Sequence, residues 1–253
     1  MKHLFPIKFV MFCLIGMTSL NQSFAQKKEQ NNFEDWSKKP VIVTPVVKNS
    51  PPSDAIVLFM ADDLNKWESL QKKGSPAPWK ISGDHFTVEP GTGDIITKQS
   101  FGDCQLHAEW NIPENEVQTN LNFGNSGIYF MGLYEVQIYS SYQDEHKIYY
   151  NGQAGSIYKQ HTPLVNACLP AGTWQSYDIV FTAPRFRGDN SVESPACFTV
   201  FQNGVLVQNH VALTGPTTHT EHTEYKAHTE TLPLLLQGHG SRVSYKNIWI
   251  RNL

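Results

Sequence analysis

Charged side chains are scarce in this 253-residue sequence, and no stretch of it is rich in lysine and arginine. Only 17% of the residues are Asp, Glu, Lys or Arg, and the formal net charge at pH 7 is −3. Proteins that bind DNA or RNA need a basic patch or stripe that faces the phosphates. The composition therefore argues against a nucleic acid as a partner.

Cysteine is also rare, with four residues in all, of which Cys13 falls in the leader described below. The other three are Cys104, Cys168 and Cys197, and an odd number cannot form a fully paired disulfide framework. We expect free, buried thiols, and the sequence leaves open a single bridge between two of them.

Long apolar runs are missing except for Phe9 to Leu20, which is too short for a comfortable transmembrane helix. Lys2 and Lys8 form a basic head that precedes the apolar run, and the small-residue site Ser23-Phe24-Ala25 follows the run. This is the organisation of a secretory signal peptide. The sequence predicts a signal peptide over residues 1–25, a periplasmic or secreted mature protein, and no transmembrane segment after cleavage.

After this leader the sequence is first polar and then rich in β-strand signals. Residues 26–54 read as a polar spacer and an N-terminal arm. In residues 55–253, short runs of Val, Ile, Phe and Tyr alternate with Gly, Pro, Asn and Asp, and Asn203-Gly204 indicates a hairpin. Because strands do not alternate with helices, we expect an all-β domain, a two-sheet jelly-roll sandwich. One of its predicted strands is GSIYKQ, residues 155–160.

The strand YEVQI, residues 134–138, directs its apolar and aromatic residues to one face, which we expect to join the core. The opposite face carries Glu135 and Gln137, and Tyr139 continues it. A carboxylate, an amide and an aromatic ring are an uncommon set for a sheet face that is only wetted by solvent.

Other predicted strands direct similar side chains to one face, namely His107, Glu109, Asn125, Tyr129, Gln237 and His239. Planar hydrogen-bonding groups suit ligands rich in hydroxyl groups, and aromatic rings can cover the C–H faces of a sugar. We therefore expect a carbohydrate ligand. We also expect His107, Glu109 and His239 to converge with Glu135 and Gln137 on one face of one sheet.

A longer pattern supports this expectation. The following stretches occur in order: GDIITK, QLHAEWNIPE, GNSGIYFMGLYEVQI, YNGQAGSIYKQ, AGTWQSYDIVFTAPRF, VFQNGVLVQNH, LLLQGHG and YKNIWIRNL. With this order and spacing, residues 55–253 closely resemble the 3-keto-disaccharide hydrolase domain family. The fold of that family is similar to the concanavalin A-like lectins and glucanases, so the resemblance implies the two-sheet jelly roll that the strand pattern also predicts.

The resemblance implies a secreted enzyme of carbohydrate breakdown that acts on sugars already oxidised at C3. A ketone at C3 acidifies the proton at C2, because the resulting carbanion is delocalised into an enolate. A base removes that proton, the substituent at C1 leaves by β-elimination, and addition of water completes a net hydrolysis. This route needs one base, a group that stabilises the enolate oxygen, and assistance to the leaving group.

With this resemblance, candidate roles can be given to single residues. Glu135 is the first candidate for the general base or for a carboxylate that binds a metal ion. Lys159 is a candidate for stabilising the enolate oxygen, and His239 for an acid or base near neutral pH. The candidates for substrate binding are Gln137, Glu109, His107, Asn125, Tyr139 and Gln237.

Alternatives to elimination stay open. Glucanases of this fold carry a Glu-x-Asp-x-x-Glu pattern, and the corresponding residues here are Glu135, Gln137 and Ser140. Only the first is a carboxylate, so a retaining mechanism with two carboxyl groups about 5 Å apart would need a partner from elsewhere, and Glu109 is the candidate. The fold serves a noncatalytic carbohydrate-binding module equally well, or an accessory protein of a glycan-uptake complex.

Two positions depart from the family pattern, since relatives often carry acidic residues where this chain has Ser140 and Gly238. The cofactor is undetermined: a divalent metal ion is compatible with the carboxylates, no metal ligands can be named, and no redox cofactor is expected. The expected partner is an oligosaccharide or glycoside substrate, and the sequence does not determine the oligomeric state.

We expect signal peptidase to cleave after Ala25, which would leave Gln26 as the first residue of the mature protein. Intact-mass analysis of the protein expressed with its own leader checks this. Ala25→Trp is the matched control, because a bulky residue at the small-residue site should block cleavage. A mass that retains residues 1–25, or an acyl group on Cys13, would contradict the prediction.

Overall fold

The computed structural model describes residues 35–47, 50–60, 63–119, 122–221 and 223–253. The predicted signal peptide lies outside the described residues. The contacts divide the chain into two units, Met1–Ile42 and Val43–Leu253. In the described part of the first unit, the Asp35 carboxylate accepts hydrogen bonds from the backbone and hydroxyl of Ser37. No helix in the described ranges is long and apolar enough to cross a membrane.

The regular secondary structure in the described part of the second unit is almost entirely β-strand. In chain order they are β1 (Ile56–Phe59), β2 (Trp67–Ser69), β3 (Lys80–Ser82), β4 (His85–Thr87), β5 (Ile95–Phe101), β6 (Cys104–Asn111), β7 (Ser126–Phe130), β8 (Tyr134–Ile138), β9 (Gln175–Thr182), β10 (Arg185–Phe186), β11 (Val192–Ser194), β12 (Cys197–Gln202), β13 (Val205–Ala212), β14 (Leu232–Leu236) and β15 (Ser244–Asn252). A short helix, α1 (Glu114–Thr119), follows β6, and two 3-10 turns, Tyr142–Asp144 and Tyr150–Gly152, follow β8.

Most of the strands belong to two antiparallel sheets. The large sheet has the order β13-β12-β9-β6-β15-β4-β3, and β1 also pairs with β15. The small sheet has the order β2-β5-β14-β7-β8, while β10 and β11 form a separate ribbon. The predicted all-β, two-sheet jelly-roll sandwich is confirmed.

The hydrophobic core lies between these two sheets, and aromatic rings connect them. Phe130 of the small sheet and Phe181 of the large sheet have ring centroids 4.9 Å apart. At the other end of the core, Phe86 is fully buried and packs edge-to-face on Phe59 at 4.7 Å. Edge-to-face rings at this distance are a favourable aromatic geometry.

A buried polar contact also joins the sheets. The Ser126 hydroxyl of β7 donates a 2.6 Å hydrogen bond to the carbonyl of Gln237, just after β14. The Tyr245 hydroxyl of β15 lies 2.7 Å from the same Ser126 oxygen. Because a serine hydroxyl has one proton to donate, Tyr245 is the donor in this second bond. The large sheet thus holds the end of β14 in place through Ser126.

Two expectations about the chain are settled by these contacts. Cys104, Cys168 and Cys197 are all free, and the first two are buried, so the expected free thiols are confirmed. The predicted strand at residues 155–160 is wrong, since that segment forms only isolated bridges, Val136 with Ile157 and Ile157 with His161.

Phe86→Ala should lower the free energy of unfolding by about 3–5 kcal/mol, because the cavity left by a fully buried ring is only partly filled by relaxation. Urea unfolding followed by tryptophan fluorescence measures this. The matched control is Ile81→Ala on the neighbouring strand β3, where the side chain is 42% exposed and the loss should stay within about 0.5 kcal/mol. Equal losses in the two variants would contradict the packing described here.

Candidate functional site

The side chains of β8 alternate between the core and the outer face of the small sheet, as the sequence predicts. Tyr134, Val136 and Ile138 are fully buried in the core between the sheets. Glu135 and Gln137 point away from the core, towards the outer side of the small sheet, yet their exposed fractions are only 2% and 1%. Something must therefore cover the outer side of β8.

The cover comes from two loops that bind the free edge of β8. The backbone amide of Gln137 donates to the Ser156 carbonyl at 3.0 Å, and that of Tyr158 donates to the Glu135 carbonyl at 3.3 Å. From the second loop, the Thr217 hydroxyl oxygen accepts a 3.0 Å hydrogen bond from the Glu135 amide. These bonds satisfy backbone groups that an edge strand would otherwise expose to water.

A cavity of about 230 Å³ remains under these loops, and we call it the Glu135 cavity. The sequence-predicted candidates that line it are Glu135, Gln137, Asn125, Gln237 and His239. The expectation that Glu135, Gln137 and His239 converge is confirmed, while the chemical roles given to them stay predictions.

Glu135 is the carboxyl group of this cavity, and its environment makes it unusual. Burial raises the pKa of Glu135 to about 8, and the neighbouring Tyr129 hydroxyl offsets part of that rise. Its Oε2 atom is buried and has no hydrogen-bond partner. Gly127 makes room for the carboxyl group, since a Cβ at that position would lie 2.3 Å from Glu135 Oε1.

Several polar groups around Glu135 have hydrogen-bonding capacity left for a ligand. The Gln237 amide donates to the Tyr129 hydroxyl at 3.2 Å, while its buried Oε1 has no partner. The Asn125 side chain makes no hydrogen bond to any described residue, and His239 is exposed at the mouth. Gln137 is partly committed, because its Oε1 accepts a bond from the Ile138 amide.

The sequence pattern does not indicate the aromatic wall of the cavity. Tyr149 and Tyr158 have hydroxyl oxygens 2.6 Å apart, and the Tyr158 hydroxyl lies 3.0 Å from His219 Nδ1. Burial raises the pKa of Tyr158, so its hydroxyl stays protonated at neutral pH. These residues come from loops, where no alternation of side chains exists that could have assigned them to a face.

Lys159 lies outside this cavity, contrary to the role expected for it. Its backbone has a φ of 58°, in the left-handed region, so its side chain does not follow the direction expected from the alternation of a strand. The ammonium group donates to the His219 carbonyl and lies 5.3 Å from the ring centroid of Tyr149. Lys159 therefore supports the aromatic wall from behind.

His107 and Glu109 lie away from the Glu135 cavity, so the predicted convergence is wrong for both. They lie on β6 and point outward from the large sheet, whereas Glu135 points outward from the small sheet. Alternation determines which side of a strand a residue occupies, but not which sheet the strand joins. A retaining mechanism that pairs Glu135 with Glu109 is excluded by this separation.

Tyr139 is the remaining candidate that the structure removes from the cavity. It follows the last residue of β8, is 7% exposed, and packs edge-on against Phe123 at 6.2 Å. The strand has ended, so the alternation that would have turned Tyr139 towards the cavity no longer applies.

The two departures from the family pattern have different surroundings. The Ser140 hydroxyl donates to the Glu145 carboxylate at 3.3 Å, so an acidic group is present beside it. The Gly238 amide donates to Asp94 Oδ1 at 2.9 Å, and a Cβ at Gly238 would lie 2.4 Å from the Gly93 carbonyl oxygen. No side chain fits at position 238 with this backbone.

Metal binding receives no support from the arrangement of donors. In the described part of the chain, no group of three or more His, Cys, Asp or Glu side chains is arranged to hold a metal ion.

Known proteins resemble this chain in sequence and in structure. A solved structure from Parabacteroides distasonis, named "putative glycosyl hydrolase", is 44% identical with a TM-score of 0.81, and the match covers 87% of this chain and 94% of that one. A second structure with that name and organism is 18% identical, with a TM-score of 0.57 and coverage of 79% and 94%, and shows the fold alone. No curated protein sequence matches the chain.

A family model, the 3-keto-alpha-glucoside-1,2-lyase-like domain, matches residues 54–251, which include both sheets and the Glu135 cavity. This match spans most of the chain, and it agrees with the sequence pattern and with the architecture. The chain therefore belongs to the family of 3-keto-alpha-glucoside-1,2-lyase-like domains.

Proposed function

We propose that this protein is an exported enzyme that cleaves the glycosidic bond of a 3-keto-glycoside by removing the C2 proton, eliminating the C1 substituent and adding water. The observation that carries the proposal is the buried carboxyl group of Glu135, which has one unpartnered oxygen and lines a cavity. Membership of the family supports a glycoside as the substrate.

Glu135 has the properties that removal of a C2 proton requires. The acidity of that proton is moderate, so an efficient base has a pKa close to the working pH rather than near that of an exposed carboxyl group. The pKa of about 8 for Glu135 meets this condition. Its free Oε2 can accept the proton without first losing a hydrogen bond.

The negative charge that develops on the C3 oxygen needs donors, and the cavity supplies neutral ones. The Tyr129 hydroxyl stays protonated, because burial raises the pKa of Tyr129 strongly. The Asn125 amide lines the same cavity and is not engaged by other described residues. We assign these two groups to the enolate oxygen, in place of Lys159.

The leaving group and the water complete the balance of atoms. The C1–O bond breaks as the electron pair of the C2–H bond forms a C1=C2 double bond, and the departing oxygen takes a proton. His239 at the exposed mouth is the residue that we assign to this proton transfer. After the leaving group has departed, the Glu135 carboxyl exchanges its proton with solvent. Water then adds its hydroxyl to C1 and gives its proton to His239, while Glu135 donates a proton to C2.

Direct hydrolysis by two carboxyl groups has less support in this cavity. Among the described residues, Glu135 is the only carboxyl group in the cavity lining. Retaining and inverting glycosidases both need a pair of carboxyl groups around the bond that breaks.

Glu135→Gln should reduce kcat for a 3-keto-glucoside by roughly 10²–10⁴-fold, because the amide keeps the shape of the side chain but cannot accept the C2 proton. The Tm should not fall, since at pH 7 the amide replaces a mostly protonated carboxyl group with a pKa of about 8. Glu193→Gln, which changes an exposed carboxylate on β11, is the control and should keep full activity.

In heavy water, the wild-type enzyme should place deuterium at C2 of the released 3-keto sugar, and the matched glucoside without the ketone should not be cleaved. Mass spectrometry of the product measures this, with spontaneous exchange subtracted from an enzyme-free sample. Cleavage of both substrates without deuterium at C2 would contradict elimination. Binding of both without cleavage would instead indicate a carbohydrate-binding module.

The pH dependence of kcat/KM should follow the ionisation of Glu135. A base acts in its ionised form, and His239 acts only after the C2 proton has been removed. With that removal as the first irreversible step, kcat/KM should rise about tenfold per pH unit below pH 8 and level off above it, given the pKa of about 8. Initial rates between pH 5 and pH 9.5 test this at limiting substrate. A profile that is flat across this range, or that falls with rising pH, would contradict the assignment of Glu135 as the base.

A further inference from the structure

A second cavity, of about 430 Å³, lies on the outer side of the large sheet, and we call it the large-sheet cavity. Its lining includes side chains of β6, β9 and β15 together with Trp174. The volume falls within the range of about 300–1,000 Å³ that is usual for small-molecule sites. Both sheets and the core, about 10 Å from sheet to sheet, separate it from the Glu135 cavity.

The floor of the large-sheet cavity is a stacked pair of rings. The His107 imidazole stacks on the Trp249 indole with centroids 5.3 Å apart, and its Nδ1 lies 2.7 Å from Asp178 Oδ1. Burial lowers the pKa of His107, but the hydrogen bond to Asp178 and the Glu109 carboxylate 3.8 Å from Nε2 outweigh this effect and raise the pKa to about 9. His107 is therefore a cation at neutral pH, and Nδ1–H donates to Asp178.

A β-bulge places an amide beside this floor. The register of β15 shifts between Lys246 and Trp249, and Asn247 adopts a φ of 45° there. This left-handed conformation is unfavourable for most residues other than glycine, and bulges often re-aim a side chain near a functional site. Asn247 Nδ2 donates to Glu109 Oε1 at 2.8 Å, whereas the buried Oδ1 has no partner.

The wall of the cavity combines an aromatic ring with unsatisfied polar groups. Trp174 is half-buried, and the Lys246 ammonium group lies 4.3 Å from the centre of one of its rings. The Ser176 hydroxyl makes no hydrogen bond to a described residue. The Asp178 side chain is 43% exposed, so its carboxylate can accept further bonds.

The charges in and beside this cavity nearly cancel. His107 and Lys246 are cations, and Glu109 and Asp178 are anions, while Asp84 also pairs with Lys246 at 3.2 Å. A divalent cation would meet the charged imidazole of His107, and an anion would meet two carboxylates. A neutral ligand that offers both hydrogen-bond donors and acceptors avoids the repulsion from His107 and the repulsion from the carboxylates.

We propose that the large-sheet cavity is a second, noncatalytic binding site for a neutral, hydroxyl-rich ligand, namely a sugar ring of a glycan. Hydroxyl groups of the sugar donate to Asn247 Oδ1 and Asp178, and a C–H face packs on Trp174. The site would hold a glycan on the opposite side of the sandwich from the Glu135 cavity. This inference does not depend on what reaction, if any, occurs at Glu135.

The test measures sugar binding at Trp174 by NMR. The indole N–H signal of Trp174, assigned with Trp174→Phe, should shift and saturate when cellobiose, maltose or sucrose is titrated to about 50 mM, well above a Kd near 1 mM for a weak site. Asn247→Gly should raise the Kd roughly five- to tenfold, because it removes the amide while glycine tolerates the positive φ.

A matched variant of the other cavity separates the two sites. Glu135→Gln should leave the Trp174 response unchanged, and Asn247→Gly should leave turnover of a 3-keto-glucoside at the wild-type level. The proposal is overturned if none of the three sugars shifts the Trp174 signal, or if the shift disappears in Glu135→Gln and persists in Asn247→Gly. A thermal melt of each variant confirms that the fold is intact before binding is compared.

Discussion

The pleat of β8 is the constraint from which the proposed site follows. Tyr134, Val136 and Ile138 fill the core, and this burial fixes the register of the strand. Glu135 and Gln137 must then face outward, because a slip of one residue would send the carboxyl group into the core and three large side chains into solvent. The two loops that bind the edge of β8 convert this outward face into a cavity in which Glu135 is shielded from bulk solvent.

A single buried carboxyl group suits elimination better than direct hydrolysis, which needs two carboxyl groups. A buried acid without a cationic partner is held neutral, and that costs folding free energy as the pH rises above the pKa that the group has in the unfolded chain. The same raised pKa makes the carboxylate a base strong enough to remove a proton next to a ketone. The single hydroxyl proton of Tyr129 can be donated to ionised Glu135, which moderates its pKa, and then to the developing oxyanion once Glu135 has taken the C2 proton.

The sequence predicts the fold and the part of the site that lies on regular strands. Alternation along β8 gave Glu135 and Gln137 correctly, because period-2 patterning determines the face of a strand. It failed for His107 and Glu109, since the pairing of strands into sheets depends on contacts between distant segments. Tyr149, Tyr158 and Thr217 were missed because loop residues have no periodicity, and residues 155–160 pair with β8 only at an isolated bridge.

Gly238 lies so close to the Gly93 carbonyl that the residue tolerated at 238 depends on the backbone at position 93, which is distant in sequence. An ancestor or descendant with an acidic residue at 238 requires a different path of the backbone around Gly93, so the two changes must arise together or in a fixed order. A single substitution at 238 without a change around Gly93 would overpack this contact. A chain with an acidic residue at 238 therefore needs a loop before β5 that differs from the one in this protein.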